Sequence, residues 1–170
     1  MNNQNMIISG KIQTPLGEML ACVSDKGLSL LEFTNRKKYE RQISGLKKYL
    51  KIKVIPGNHP FLEQVTKEMN EYFAGKRKTF DIPLFQIGTE FQKRVWEGLL
   101  QIPYGKTLSY SGLAKKIGKP KAVRALANAN AANKIAIIIP CHRVIGADGT
   151  LTGYASGLDK KKFLLDLEIN

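Results

Sequence analysis

The stretch SYSGLAKKIGKPKAVRALANA, residues 109–129, decides how the rest of the chain is read. Ser109–Ile117 has the pattern of a short helix, Gly118-Lys119-Pro120 of a turn, and Lys121–Ala129 of a second helix. Helix, tight turn and helix is the outline of a helix-turn-helix unit. On pattern alone, a plain helical hairpin packed in a core fits equally well. The content of the second helix favours the first reading. Ala122, Ala125, Ala127 and Ala129 leave it almost bare of bulk while Arg124 projects from it, and a bare helix can approach a DNA groove closely.

Downstream, the β-branched run Ile135–Ile139 predicts a buried strand that delivers Pro140-Cys141-His142-Arg143-Val144-Ile145 at its end. Turns follow at Gly146, Asp148-Gly149 and Gly153, then a last helix over Lys160–Leu167 with Phe163, Leu164 and Leu167 as its apolar side. In Lys160-Lys161-Lys162, a solvated helix start and a phosphate contact are equally good readings. Upstream, Thr89-x-x-Gln92 has the spacing of a capping box, opening a helix with Phe91, Val95, Trp96 and Leu99 as its stripe. Trp96 and Tyr104 read as core aromatics.

The pattern changes at Gly88, after the basic and then extended segment Lys76–Gln86, so two domains are expected, 1–87 and 88–170. In the first, Met6–Gln13, Glu18–Ser24 and Leu28–Phe33 are strand-like runs separated by turn residues, which predicts an antiparallel three-stranded meander. Residues 36–50, with Ile43, Leu46 and Leu50, and Pro60–Ala74, with Phe61, Val65, Met69 and Phe73, predict two flanking helices. The fold class is α+β.

Of 170 residues, 43% are hydrophobic and 24% charged, a globular composition. The balance of 27 Lys and Arg against 14 Asp and Glu, net +13, implies attraction to a polyanion, and both halves share the excess. Met1 to Met6 lacks the apolar run of a signal peptide, and the longest apolar stretch, Ile135–Pro140, is far too short to span a bilayer. With only Cys22 and Cys141, no secreted disulfide framework is expected, and a reducing cytoplasm fits.

Cys22, inside a strand pattern between Ala21 and Val23, reads as an inert buried thiol. Cys141 stands beside His142 and Arg143, and nearby cations raise the thiolate fraction. Two cysteines and two histidines, His59 and His142, do not give structural-zinc spacing, so no metal is expected. A hydrolase using Cys141 and His142 stays open, though adjacent residues point apart when extended, and His142 would then need a turn or a bridging water.

With these residues in view, the chain resembles the methylated-DNA–protein-cysteine alkyltransferases, also called O6-alkylguanine-DNA alkyltransferases. The motif Ile139-Pro140-Cys141-His142-Arg143-Val144 behind a helix-turn-helix-like segment carries the resemblance over nearly all of residues 88–170. The amino-terminal half resembles the family's ribonuclease-H-like domain more loosely, through Thr14-Pro15-Leu16-Gly17 and the meander. The resemblance implies a winged-helix-like C-terminal domain and irreversible, stoichiometric transfer of an alkyl group from O6-alkylguanine in double-stranded DNA to Cys141. O4-methylthymine is a second candidate substrate; no cofactor is implied, and a monomer is the simplest expectation.

Carried over position by position, Cys141 is the acceptor, His142 takes its proton through a water, and Glu168, 26 residues beyond, supports the histidine. Asn133 is the hinge asparagine that orders the site. Tyr110 crowds the phosphate 3′ of the lesion and donates a hydrogen bond at the guanine. Arg124 enters the stack in place of the extruded nucleotide, with Ala125 and Ala127 on the helix that enters the minor groove. Tyr154, Ala155 and Ser156, with Val144, form the alkyl pocket, and Ser156 stands where the family more often has Gly, which narrows it. Rival readings are a lesion binder that transfers nothing, a cysteine hydrolase and a helix-turn-helix regulator.

Overall fold

In a computed structural model that describes residues 6–34, 39–50 and 53–170, the chain divides into two compact units, Met1–Ile87 and Gly88–Asn170. The run before Met6, residues 36–38 of the first expected helix and the side chains of Leu46 and Leu50 lie outside the described residues. No described helix is long and apolar enough to cross a membrane.

The N-terminal unit is built on β1 (Met6–Thr14), β2 (Gly17–Ser24) and β3 (Gly27–Phe33), an antiparallel meander whose register pairs Ile8 with Val23 and Ala21 with Leu31. Every residue of β3 is buried, Ser29 and Glu32 among them, so neither face of this strand is open to solvent. The sheet differs from expectation at one edge. After α1 (Tyr39–Leu50), β4 (Lys53–Pro56) pairs parallel to β1, giving the order β3-β2-β1-β4. Pro56 suits an edge, where its missing N–H leaves no partner unsatisfied. α2 (Pro60–Phe73) is capped by His59, whose Nδ1 accepts from Phe61 N at 3.0 Å, and it buries Leu62, Val65, Met69 and Tyr72.

In the C-terminal unit, α3 (Glu90–Leu100) opens with the expected capping box: Gln92 N donates to Thr89 Oγ1 and Thr89 N to Gln92 Oε1. Its buried side presents Val95, Trp96 and Leu99, and the Trp96 indole donates to Ala129 O at 2.9 Å. Gly98 lies so close to the next helix that a Cβ there would come within 2.7 Å of Ile117 Cγ2. The short strand β5 (Leu108–Ser109) leads into α4 (Tyr110–Lys116), capped by Ser109, then a turn and α5 (Val123–Ala131). Helix, turn and helix are all present, with α5 starting two residues later than expected because Lys121 and Ala122 belong to the turn, where Ala122 N bonds Lys119 O.

Two expectations fail here. Ile135–Ile139 is buried but forms turns and no strand, with Ile137 at φ 72. The groups that a neighbouring strand would have satisfied are taken by Asn133, whose side chain bonds Ile135 N, Ile135 O and Ile139 O. The last helix, α6 (Leu158–Ile169), buries Lys161, Leu164 and Glu168, while Phe163 is 40% exposed and Leu167 only half-buried. Its inner face is therefore anchored by two charged side chains as well as by Leu164.

Candidate active site

Cys141, His142 and Arg143 form a single 3-10 turn that enters β6 (Val144–Ile145), which pairs parallel to β5. The turn replaces the extended backbone that would point adjacent side chains to opposite faces. Asn133 fixes the approach to it, and Arg143 N closes it by bonding Pro140 O at 3.0 Å.

His142 is wholly buried. Its Nε2 lies 2.7 Å from Glu168 Oε1, and its Nδ1 is buried with no protein partner. Burial pushes the imidazole pKa down more strongly than Glu168 raises it, and Arg143 and Lys161 lower it further. The resting ring is therefore neutral, with its proton on Nε2 facing the carboxylate and a bare Nδ1 able to accept one.

Arg143 supplies the charge that Glu168 needs. Its Nε donates to Glu168 Oε2 and its Nη2 to Oε1, both at 2.9 Å, while Nη1 donates to Ile102 O at 2.7 Å. Burial alone would raise the Glu168 pKa, but the hydrogen bonds and charges of His142 and Arg143 outweigh it and hold the carboxyl at about 2. The Tyr104 ring lies 5.8 Å from the guanidinium, and the Pro103-Tyr104-Gly105 turn abuts the end of α6. Gly105, at φ 77, is required there, since a Cβ would sit 3.0 Å from Glu168 O.

The expectation that His142 and Arg143 act as the cations beside the thiol is thus corrected: one is neutral and the other is bound to Glu168. A charge that does interact with Cys141 is that of Lys161, for which the sequence allowed either a solvated helix start or a phosphate contact. Lys161 is fully buried, and its Nζ donates to Val144 O, Thr152 O and Gly153 O at 2.6, 3.1 and 3.3 Å. Burial lowers its pKa and the Cys141 charge raises it.

Tyr110, at the start of α4, joins the same cluster: its hydroxyl donates to Thr152 O at 2.9 Å. Burial raises its pKa and so keeps it protonated; the bond to Thr152 opposes the shift and the Cys141 charge adds to it. Val144 is buried, Tyr154 and Ser156 are half-buried, and Ala155 is exposed in the segment between Thr152 and α6. On α5, Arg124 and Ala125 are exposed and Ala127 is half-buried, but Ala129 packs under Trp96 and does not belong to the bare face. Cys22 is the inert thiol expected: burial pushes it up to about 12 against the Lys47 charge.

Residues 7–86 match the 6-O-methylguanine DNA methyltransferase ribonuclease-like domain, and residues 90–170 match the DNA binding domain of the same enzymes. The chain belongs to the 6-O-methylguanine DNA methyltransferase family. Among this family's relatives, the methylated-DNA–protein-cysteine methyltransferase of Methanosarcina barkeri is 48% identical over 163 residues, 94% of this chain and 95% of the relative. The constitutive enzyme of Bacillus subtilis is 52% identical over 110 residues, covering 64% of this chain and 67% of its own. Mycobacterium tuberculosis OGT, solved in complex with DNA, superposes with a TM-score of 0.83 at 40% identity, over 95% of this chain and 92% of that one.

Proposed function

We propose that this chain repairs DNA by direct reversal of damage, moving the methyl group of O6-methylguanine in duplex DNA onto Cys141. The observation that carries the mechanism is the buried His142–Glu168 pair with its unpartnered Nδ1, one residue from Cys141.

The Cys141 proton passes through a water to His142 Nδ1, and the resulting imidazolium is stabilised by Glu168. The thiolate sulfur attacks the alkyl carbon. One S–C bond forms as the C–O6 bond breaks, and the electron pair moves into the guanine. Tyr110, held protonated by burial, turns its hydroxyl from Thr152 O to the base and donates the proton that neutralises it. The products are an unmodified guanine and a thioether, and the proton taken up by His142 returns through solvent to Tyr110, leaving both side chains as they began. A thioether has no hydrolysable bond, so one molecule repairs one lesion.

The alkyl carbon is out of reach inside a stacked duplex, so the nucleotide must be extruded at a cost of a few kcal/mol. Arg124 and Ala125, exposed at the start of α5, support a reading in which the helix enters the minor groove and Arg124 fills the gap. Val144, Tyr154, Ala155 and Ser156 would then line the alkyl pocket. O4-methylthymine, whose alkyl oxygen is attached to a similar ring position, is a further substrate of this reading. The reading extends to a cytoplasmic monomer, one protein molecule meeting one lesion.

The test is the intact mass of the protein after mixing with duplex DNA carrying O6-methylguanine. One added methyl group on Cys141, saturating at one equivalent, is expected. Conversion beyond one equivalent, or no adduct, overturns the reading in favour of a hydrolase or a lesion binder.

A further inference from the structure

The excess positive charge of the N-terminal unit is concentrated in one segment. Residues 36–53 hold eight Lys or Arg and a single acid, Glu40, while the rest of residues 1–87 hold six basic and seven acidic side chains. α1 is the helix of this segment. Its Ile43 packs against the core cluster of Ile7, Leu20, Cys22, Leu30 and Ile87, which seats the helix on the unit, and Arg41, Lys47 and Lys48 remain exposed.

Five of the seven acids elsewhere in the unit are paired. Glu18 pairs with Lys11, Asp25 with His59, and Glu68, Glu71 and Asp81 converge on Arg77. None of Arg41, Lys47 and Lys48 makes an ion pair with a described acid. A twelve-residue helix is about 18 Å long. Over that distance duplex DNA carries about ten phosphate charges, a partner of matching length and opposite sign.

We propose that α1, through Arg41, Lys47 and Lys48, is a second, sequence-independent contact with the phosphates of the DNA, adding affinity from the unit that does not carry Cys141. This rests on the reading that the chain acts on DNA, and it assigns the N-terminal unit a part in holding that substrate. Phosphate contacts position a protein without reading bases, so the gain is shared by damaged and undamaged duplex.

The experiment compares two triple variants of the full chain, Arg41→Gln/Lys47→Gln/Lys48→Gln and Lys26→Gln/Lys67→Gln/Lys76→Gln. Both remove three charges from exposed positions of the same unit. Binding to undamaged duplex is measured across salt by fluorescence anisotropy, with thermal melts confirming that both variants fold. The α1 variant is expected to bind at least about tenfold more weakly, with the slope of log K against log salt shallower by about 2–3, since each lost phosphate contact removes about 0.9. The second variant keeps a slope near that of the parent. Unchanged slopes, or equal changes in both variants, overturn the proposal, the latter reducing it to net charge alone. The readout is binding and not alkyl transfer, so this result stands apart from the methyl-adduct experiment.

Discussion

Lys161, Arg143 and Glu168 are charged side chains inside a small unit, and each is matched by fixed partners. Removing one member of such a set strands the others. Glu168→Gln is expected to destabilise the protein by about 3–5 kcal/mol at neutral pH, because Arg143 is left buried with a weaker partner. The pH dependence has a definite sign. The Glu168 carboxyl is held at about 2 against an ordinary value of 4.5, so its contribution is complete above 4.5 and is lost as pH falls from there towards 2. Urea titrations across that window should show the parent losing on the order of 3 kcal/mol from this group. A parent and a Glu168→Gln variant that fall in parallel would refute the assignment. For Lys161→Met, loss of the charge facing Cys141 should move the midpoint of thiol alkylation by iodoacetamide to higher pH. An unchanged midpoint would leave Lys161 as an anchor of the Val144, Thr152 and Gly153 carbonyls only. Cys141 and its neighbour His142 stood out in the sequence as a candidate pair. Glu168 was legible only through resemblance, since 26 residues separate it from His142. Lys161 was hidden by its neighbours: successive helix residues point about 100° apart, so one lysine of three turns inward while the run looks solvated.

At the scale of elements, the helix-turn-helix was read correctly because Gly118 and Pro120 punctuate it and Ser109 caps it. The 135–139 segment was misread because five apolar residues in a row record burial and not conformation, and here a side-chain amide stands in for a neighbouring strand. β4 escaped notice because four residues, Lys53 to Pro56, carry too little pattern to announce an edge. The exposed start of α5 makes a prediction of its own. If Arg124 substitutes for an extruded nucleotide, Arg124→Ala slows methyl transfer from duplex DNA far more than reaction with free O6-alkylguanine, which needs no extrusion. Single-turnover rates with the two substrates measure the difference, and equal slowing would remove Arg124 from that role.

For the whole molecule, what matters is that the proposed acceptor sulfur belongs to the structure it would change. Cys141 is 8% exposed, and its thioether must hold an added methyl where packing is already close. An extra methyl forced into a packed interior costs about 1–3 kcal/mol. In a domain of this size each kcal/mol moves the midpoint by about 4–8 °C. Calorimetry of the reacted protein, freed of DNA, should therefore show a melting temperature lower by at least about 4 °C. An equal melting temperature would mean that the site contains room prepared for the product.

A thioether on Cys141 would also tie repair to protein synthesis. A chain of 170 residues, made at about 5–20 residues per second, occupies a ribosome for about 10–30 s. Once the standing stock is consumed, the steady rate of repair equals the rate of translation. Under sustained alkylation, survival then depends on messenger abundance more than on the speed of the chemical step.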